Sequence, residues 1–319
     1  MRRSIVVVGS VNLDLVCTGR RIPQPGETVT GETFETFHGG KGANQAVAVG
    51  RLGFPVSMIA KVGDDQFGLR LRRALRAASV NVRAVGTAKG TASGVALITV
   101  DGDGQNSITV IPGANAQLLP CDLEKALPQL RAAGMILTQL EIPMETVEYL
   151  CTLAGRFQVP LVLDPAPARA LSRQMLRHVT YLTPNETETC ALCAIPSHDL
   201  NRATVAELAQ TLQRQGATNV IIKMGRHGAF VATADKVQRM VPAFKVKVVD
   251  STAAGDAFNA GLAVALMRGA ELEEAVRFAG AVGALSVTRT GAQPAMPTTR
   301  EVNEFIGAHS TVKLARRAT

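Results

Sequence analysis

The chain has 319 residues, of which 46% are hydrophobic and 19% charged, so it can bury a full core and is not an intrinsically disordered chain. The net charge of +8 favours anionic ligands. The basic residues are scattered without interleaved aromatics, so we expect no nucleic-acid partner. Five dispersed cysteines predict free thiols, and no apolar stretch is long enough to span a bilayer. We therefore expect a cytoplasmic protein without a membrane partner.

Aliphatic runs alternate with helical patterns along the chain. The first run, Ile5–Val8, stops at Gly9 and is typical of a buried parallel strand. Further strands are predicted at Val56–Ala60, Met135–Leu140, Leu161–Leu163, Tyr181–Thr183 and Val220–Ile222. Helices are predicted at Ala43–Leu52, Phe67–Ala78, Met144–Phe157, Thr204–Gln215, Asp256–Met267 and Leu272–Val287. The alternation predicts one α/β domain over 1–319, with a doubly wound, mostly parallel sheet flanked by helices.

Two regions interrupt this alternation and predict a small β-sheet. Residues from about 11–40 are rich in Thr, Glu and Gly and carry no helix signal. Residues 93–111 have the pattern of a hairpin, with strands Val95–Val100 and Ser107–Ile111 joined by the turn Asp101–Gly104. We expect these regions to form a β-sheet lid over one end of the main sheet.

The segment Asp250–Asp256, with the sequence DSTAAGD, is the strongest candidate for a catalytic site. It follows the strand-like run Val246–Val249 and leads into a predicted helix. Small residues before a helix leave backbone N–H groups uncovered, and these groups together with the helix dipole bind anions. Asp256 would lie in the first turn, where the dipole favours the ionised carboxylate.

A carboxylate beside an anion hole is suited to phosphoryl transfer to an alcohol. In this interpretation Asp256 is the general base, and the backbone N–H groups of Ala253, Ala254 and Gly255 form the anion hole. The structural alternative makes Asp256 a helix-terminal charge and Gly255 a packing residue.

The same segment resembles the D-T-x-[GA]-[AG]-G-D signature of the PfkB (ribokinase-like) carbohydrate kinases. A second family motif, G-G-x-[GA]-x-N, is matched by Gly39–Asn44. The resemblance extends from Val7–Asp14 to Gly291–Pro294 and is strongest for the ribokinase branch. Other matching segments are Pro25–Gly31, Gly94–Ile98, Pro112–Ala116, Gln139–Glu141, Asp164–Ala168 and Thr183–Glu188. The resemblance implies a ribokinase-like fold and ATP-dependent phosphorylation of a small sugar, with D-ribose as the expected substrate.

Two polar residues after the first strand are candidates for binding the sugar. Asn12 and Asp14 are two residues apart, so an extended chain points both the same way, and an amide with a carboxylate suits vicinal hydroxyls. The structural alternatives are an Asx turn and a tight glycine loop. The resemblance implies sugar contacts from Asn12, Asp14, Gly40, Lys41, Asn44 and Glu141, beside the base Asp256.

The nucleotide side of the site is expected after the later strands. Asn185 and Glu188 match the family's N-x-x-E motif, which serves Mg²⁺ and phosphate, although the same pattern also marks a helix start. The family binds its nucleotide near the turn corresponding to Gly225–Gly228. Lys223 stands where ribokinases often carry Thr. The resemblance thus implies ATP contacts from Asn185, Glu188, Lys223, Gly225, Gly228 and Gly255.

The resemblance also implies a monovalent-cation site and a dimer. The cation, expected to be K⁺, would be bound mostly through backbone carbonyls of Asp250, Thr252, Ser286, Arg289 and Gly291. Ala295 replaces a Ser that many members carry there. Apolar residues of the lid predict a homodimer in which two lids clasp each other.

Two alternatives to a ribose kinase remain open at this stage. A related kinase would act on deoxyribose, fructose or a nucleoside, and a sugar-binding regulator would have an inactive site. A nucleoside kinase needs an aromatic slot, for which the lid offers only Phe34 and Phe37. Intact Asp256, Gly255 and Asn185 argue against the regulator.

Overall fold

The computed structural model describes residues 4–196 and 202–315, in which strands and helices alternate. The strands are β1 (Ile5–Val8), β2 (Asn12–Thr18), β3 (Thr33–Gly39), β4 (Val56–Gly63), β5 (Val80–Ala88), β6 (Gly94–Val100), β7 (Asn106–Ile111), β8 (Met135–Thr138), β9 (Leu161–Leu163), β10 (Tyr181–Leu182), β11 (Asn219–Lys223), β12 (Ala229–Ala232) and β13 (Gln238–Val241). The helices are α1 (Lys41–Arg51), α2 (Gln66–Ala77), α3 (Pro120–Lys125), α4 (Leu127–Ala132), α5 (Met144–Phe157), α6 (Arg173–Leu176), α7 (Glu186–Leu192), α8 (Arg202–Gln215), α9 (Ala254–Met267), α10 (Leu272–Ser286) and α11 (Thr299–Ala315).

The main sheet has the strand order β13-β12-β11-β10-β9-β8-β1-β4-β5. The strands from β11 to β5 are parallel, whereas β12 and β13 form an antiparallel hairpin at one edge. The chain starts in the middle at β1, builds outward through β4 and β5, and then crosses to β8 on the other side. Ligands of such doubly wound sheets bind at the carboxyl ends of the strands, where the winding direction changes.

Side chains of the main sheet alternate between two hydrophobic cores. On β1, Val6 and Val8 belong to one core with residues of α5 and α8, while Ile5 and Val7 belong to the other with α1 and α9. All four side chains are fully buried. Because helices cover both faces, the parallel strands have continuous apolar sequences rather than alternating ones.

A second, smaller sheet has the order β3-β2-β6-β7. Strand β2 pairs antiparallel with β3 and parallel with β6, and β6 and β7 form the predicted hairpin. These strands lie within 11–40 and 93–111, so the small sheet predicted from the sequence is confirmed. Among the described residues, no helix is long and apolar enough to cross a membrane.

The sequence interpretation was wrong about Val246–Val249, which is not a strand. Val248 and Val249 are 60% and 57% exposed, so the run has β-branched composition but no neighbouring strand to pair with. Strands β5, β12 and β13 were not predicted, and neither were α3 and α4. Strands β5 and β13 lie at the two edges of the sheet and have mixed burial, and β12 has only four residues, so the apolar pattern of each is weak.

Candidate active site

Helix α9 begins at the candidate anion hole. Ala253, at the N-cap, has a left-handed backbone (φ 59°), and no side chain caps this end of the helix. Ala254 and Gly255 are the first two helical residues, and the first N–H groups of a helix have no intrahelical acceptor. The Ala254 N–H donates to the Ser251 carbonyl over 3.2 Å, so the N–H groups of Ala253 and Gly255 are the ones that the start of α9 presents, together with the positive end of the helix dipole.

Asp256 is the third residue of α9 and is almost completely buried, with 4% exposure. The Asn44 side-chain amide donates to one carboxylate oxygen over 3.0 Å, and the Gln45 amide donates to the other over 3.1 Å. Both donors lie on α1, which packs against α9. The orientation of the candidate base is therefore fixed by the motif Gly39–Asn44 and the residue after it.

The electrostatic environment of Asp256 raises its pKa to about 6. Burial is the main cause, and the Asp164 and Glu141 carboxylates add to it. The Lys41 ammonium and the Asn44 hydrogen bond act in the opposite direction. A carboxyl with a pKa near 6 accepts protons better than an ordinary aspartate while remaining mostly ionised at neutral pH.

Lys41 is the cationic centre of the site. Burial alone lowers its pKa, but the carboxylates of Asp256, Asp164, Glu141 and Glu188 outweigh burial and raise the pKa above its ordinary value. The lysine therefore stays protonated, and it offsets much of the repulsion among the four carboxylates.

The two candidate sugar ligands share one face of β2. Asn12 pairs with Gly39 on one side and Gly94 on the other. A Cβ at Gly94 would lie 2.3 Å from the Asn12 Oδ1 atom, and one at Gly39 would lie 2.2 Å from the Asp14 Oδ2 atom. Only glycine at these two positions leaves room for the polar side chains.

Neighbouring residues hold these two candidate sugar ligands in place. The Asn115 amide donates to Asn12 Oδ1 over 2.7 Å, and its oxygen accepts from the Val11 backbone N–H over 2.8 Å. Burial and the nearby Glu141 raise the pKa of Asp14 to about 6. Asn115 was not singled out as a site residue from the sequence, because its partners lie more than a hundred positions away.

Glu141 links the loop after β1 to the start of α1 at the carboxyl ends of the main-sheet strands. It accepts a hydrogen bond of 2.5 Å from the Ser10 hydroxyl and one of 3.1 Å from the Lys41 backbone N–H. Gly40 precedes α1 with a φ of 86°, a backbone region that favours glycine. Glu141 therefore lies beside Lys41 and Asp14, as the sequence interpretation expects.

Asn185 and Glu188 form a reciprocal capping box at the start of α7. Asn185 Oδ1 accepts from the Glu188 N–H over 2.8 Å, and Glu188 Oε2 accepts from the Asn185 N–H over 2.8 Å. The helix-start role considered for this motif is thus realised. Burial raises the pKa of Glu188, and charge interactions with Lys41, Lys223 and Asp164 place it at the same site.

Strand β11 ends at Lys223, which bridges to Asn185 and forms an ion pair of 2.8 Å with Asp164. The following turn contains Gly225 and Gly228, both with positive φ. The site therefore gathers residues from the ends of β9 and β11, from α7 and from α9.

Three of the predicted cation ligands, Asp250, Thr252 and Gly291, are joined by hydrogen bonds. The Asp250 carboxylate accepts from the N–H groups of Thr252 and Gly291, each over 2.8 Å, and so ties the two loops together. The Ser286 hydroxyl donates to the Gly283 carbonyl, and Arg289 pairs with Glu301 over 2.5 Å. Arg289 thus has a protein partner of its own.

Three further residues of this site were not identified from the sequence: Gln45, Gln139 and Asp164. They form a buried chain in which Gln139 donates to Gln45 over 2.7 Å, and Gln45 donates to both Asp256 and Asp164. Gln45 comes directly after the motif Gly39–Asn44, and Asp164 comes directly after a buried strand. These two places in the sequence are the features from which both residues could have been identified as candidates.

Comparison with known proteins gives a consistent family. The model described as pfkB family carbohydrate kinase matches residues 2–299. Ribokinase of Bacillus subtilis is 42% identical over 304 residues, covering 95% of this chain and 99% of that protein. Deoxyribokinase of Salmonella typhi is 37% identical over 303 residues, covering 95% and 98%. Arabidopsis thaliana ribokinase complexed with ribose and ATP has a TM-score of 0.90 at 32% identity, covering 96% and 99%.

The doubly wound sheet with its smaller partner sheet is thus the ribokinase-like α/β fold. The chain belongs to the PfkB family of carbohydrate kinases. The fold class, the family and the class of enzyme predicted from the sequence are all confirmed.

The pKa values give a direct test of this geometry. We expect the carboxyls of Asp256 and Asp14 to titrate near pH 6 in ¹³C spectra of the protein labelled at aspartate. Lys41→Met should raise the Asp256 pKa further, because the lysine charge lowers it, and should leave Asp14 nearly unchanged. If Asp256 instead titrates near pH 4, as in an unperturbed peptide, its carboxyl does not lie in the buried, carboxylate-rich environment described above.

Proposed function

We propose that the protein transfers the γ-phosphoryl group of ATP to the 5-hydroxyl of D-ribose, giving D-ribose 5-phosphate and ADP. The observation that carries this proposal is the buried Asp256 carboxylate beside the uncapped start of α9. Support for the substrate comes from the extensive similarity to ribokinases, including one solved with ribose and ATP.

The proposed chemistry needs one base and one anion hole. Asp256 takes the proton from the ribose 5-hydroxyl as the oxygen attacks the γ-phosphorus. The bond from phosphorus to the bridging oxygen of ATP breaks, and ADP leaves. The N–H groups of Ala253 and Gly255 stabilise the charge on the transferred group.

Ribose recognition is assigned to residues on two elements. Asn12 and Asp14 extend from β2 toward the site, while Gly40, Lys41 and Asn44 lie at the start of α1. Glu141 connects the two groups through Ser10 and the Lys41 backbone. Several carboxylate and amide side chains close together can hydrogen-bond a ligand that has several adjacent hydroxyls.

We assign the nucleotide contacts to residues that follow β10 and β11 and to the start of α9, and not to the sugar-binding residues of β2 and α1. Gly225 and Gly228 provide a turn after β11, and Lys223 and Gly255 border the phosphates. Asn185 Oδ1 and both Glu188 carboxylate oxygens accept hydrogen bonds in the capping box, so these residues would hold Mg²⁺ through water, and the ion when bound would neutralise phosphate charge.

Deoxyribose is the second candidate substrate. Deoxyribokinase of Salmonella typhi is 37% identical over nearly the full length, so similarity alone does not separate the two sugars. A nucleoside is less well supported, because Phe34 and Phe37 are three apart on β3 and point to opposite faces of the small sheet. Steady-state assays with ribose, 2-deoxyribose, fructose and nucleosides test the choice, and ribose should give the highest kcat/KM.

Asp256→Asn tests the base. The amide keeps the size and polarity of the side chain but cannot accept the proton, so we expect kcat to fall by about 10²- to 10⁴-fold. Ribose affinity measured by calorimetry should change much less, which serves as the control for folding. Near-normal turnover in this variant would exclude Asp256 as the base.

We further propose that K⁺ activates the enzyme. The carbonyl-rich loops of Asp250–Thr252 and Ser286–Gly291 are tied together by Asp250 directly before the anion hole, so an ion there would order the N–H groups without touching either substrate. With tetramethylammonium as the only other monovalent cation, KCl should raise kcat or lower KM, and NaCl should do so less. A flat response at constant ionic strength refutes this proposal and leaves the role of Asp256 unaffected.

The small sheet is assigned as a lid and as the dimer interface. Its apolar side chains Phe34 and Leu97 share one face by strand register and are 67% and 46% exposed, so this face is the candidate interface. Two such sheets would clasp in a C2 dimer. Sedimentation equilibrium should give twice the 33.6 kDa of one chain. Leu97→Ser should weaken this dimer, whereas Val248→Ser, at an exposed valine outside the sheet, should not.

A further inference from the structure

A buried ion pair borders the proposed phosphate site. Lys223, the last residue of β11, places its ammonium 2.8 Å from Asp164 Oδ1, and the two side chains are only 13% and 3% exposed. The pair spans strand β10, since Asp164 directly follows β9. Burying both charges is expensive, and apolar residues of similar size often stabilise a fold equally well. The location of the pair therefore needs an explanation beyond stability.

The ammonium lies directly against the anion hole. A Cβ built on Gly255 would be 3.3 Å from Lys223 Nζ, so the charge lies beside the first turn of α9, next to Asp256. Within the part of the chain that the structure describes, Asp164 is the one hydrogen-bond acceptor recorded for this ammonium. The other N–H bonds of the lysine remain available to an anion bound at the same turn.

The second oxygen of Asp164 links this pair to the base. Gln45 Nε2 donates to Asp164 Oδ2 over 3.3 Å and to Asp256 Oδ1 over 3.1 Å. Gln139 donates to Gln45 Oε1 over 2.7 Å, which fixes the amide so that its NH₂ group faces both carboxylates. One amide thus sets the spacing between the base and the carboxylate that holds the lysine.

We propose that Asp164 is a positioning residue that holds the Lys223 ammonium at the γ-phosphate, and that Gln45 aligns this pair with Asp256. In this arrangement the Gln45 amide fixes the position of the Lys223 ammonium, through Asp164, relative to the Asp256 carboxylate. This inference rests on the proposed kinase function and assigns the γ-phosphate, rather than the nucleotide as a whole, to Lys223.

The first experiment compares ATP with ADP by calorimetry. Lys223→Met keeps the aliphatic stem and removes the charge, so ATP affinity should fall by roughly 10- to 100-fold, the usual effect of losing a charged hydrogen bond. ADP and ribose affinity should change little. Lys61→Met is the matched control, because Lys61 forms a comparable pair with Asp122 at 2.6 Å, with side chains 16% and 14% exposed. It should leave the ratio of ATP to ADP affinity unchanged.

The second experiment tests the role of Asp164. Asp164→Asn should lower ATP affinity, while the double variant with Lys223→Met should bind ATP no more weakly than Lys223→Met alone, because the carboxylate acts on ATP through the lysine. The double variant removes both charges, so it carries the ATP and ADP comparison if a single variant does not fold. Additive losses, or equal losses of ATP and ADP affinity, overturn the proposal.

The third experiment tests the link through Gln45. In Gln45→Met, Asp256 loses one hydrogen bond and faces Asp164 and Glu141 with only Lys41 as the opposing charge, so its pKa should rise. The acid limb of the kcat/KM profile should then move to higher pH, and an unmoved limb overturns this link. Failure of the native protein to bind ATP would instead refute the proposed function itself.

Discussion

The packing of α1 against α9 is the contact on which the site depends. It buries Asp256 and sets its two amide donors, Asn44 and Gln45, at hydrogen-bonding distance. Burial raises the basicity of the carboxylate, while the amides keep its orientation fixed. Glycine and alanine dominate both helix starts, so the backbones approach closely enough for this short side chain to be held from the neighbouring helix.

Charge balance is the second constraint. The chain as a whole is strongly positive, yet the cleft collects Asp14, Glu141, Asp164, Glu188 and Asp256 around the two lysines Lys41 and Lys223. The cleft therefore holds more carboxylates than ammonium groups, although the chain as a whole is positive. The positive charge of the whole chain attracts an anionic ligand at long range, whereas the charges of the cleft orient the ligand at short range.

The sequence predicted the elements whose residues carry a strong local signal. Buried parallel strands such as Ile5–Val8 were found because both faces are apolar, and the start of α9 was found because small residues precede a helix. The ion pair of Lys223 with Asp164 could not be found this way, since its partners are 59 positions apart and meet only when β9, β10 and β11 assemble. Val246–Val249 shows the reverse, a local strand signal without a neighbouring strand to complete it.

The candidate sugar ligands belong to the small sheet, whereas the candidate base belongs to a helix that covers the main sheet. Asn12 and Asp14 lie on β2 in the small sheet, where Gly39 and Gly94 give them room, whereas Asp256 lies on a helix of the main sheet. The small sheet continues directly into α1 at Gly39–Lys41, and Leu13 of β2 packs in the same core as α1 and α9, so the two layers are joined at this point. If Asn12 and Asp14 bind the sugar as proposed, substitutions on β2 would change which sugar fits without replacing any residue at the start of α9.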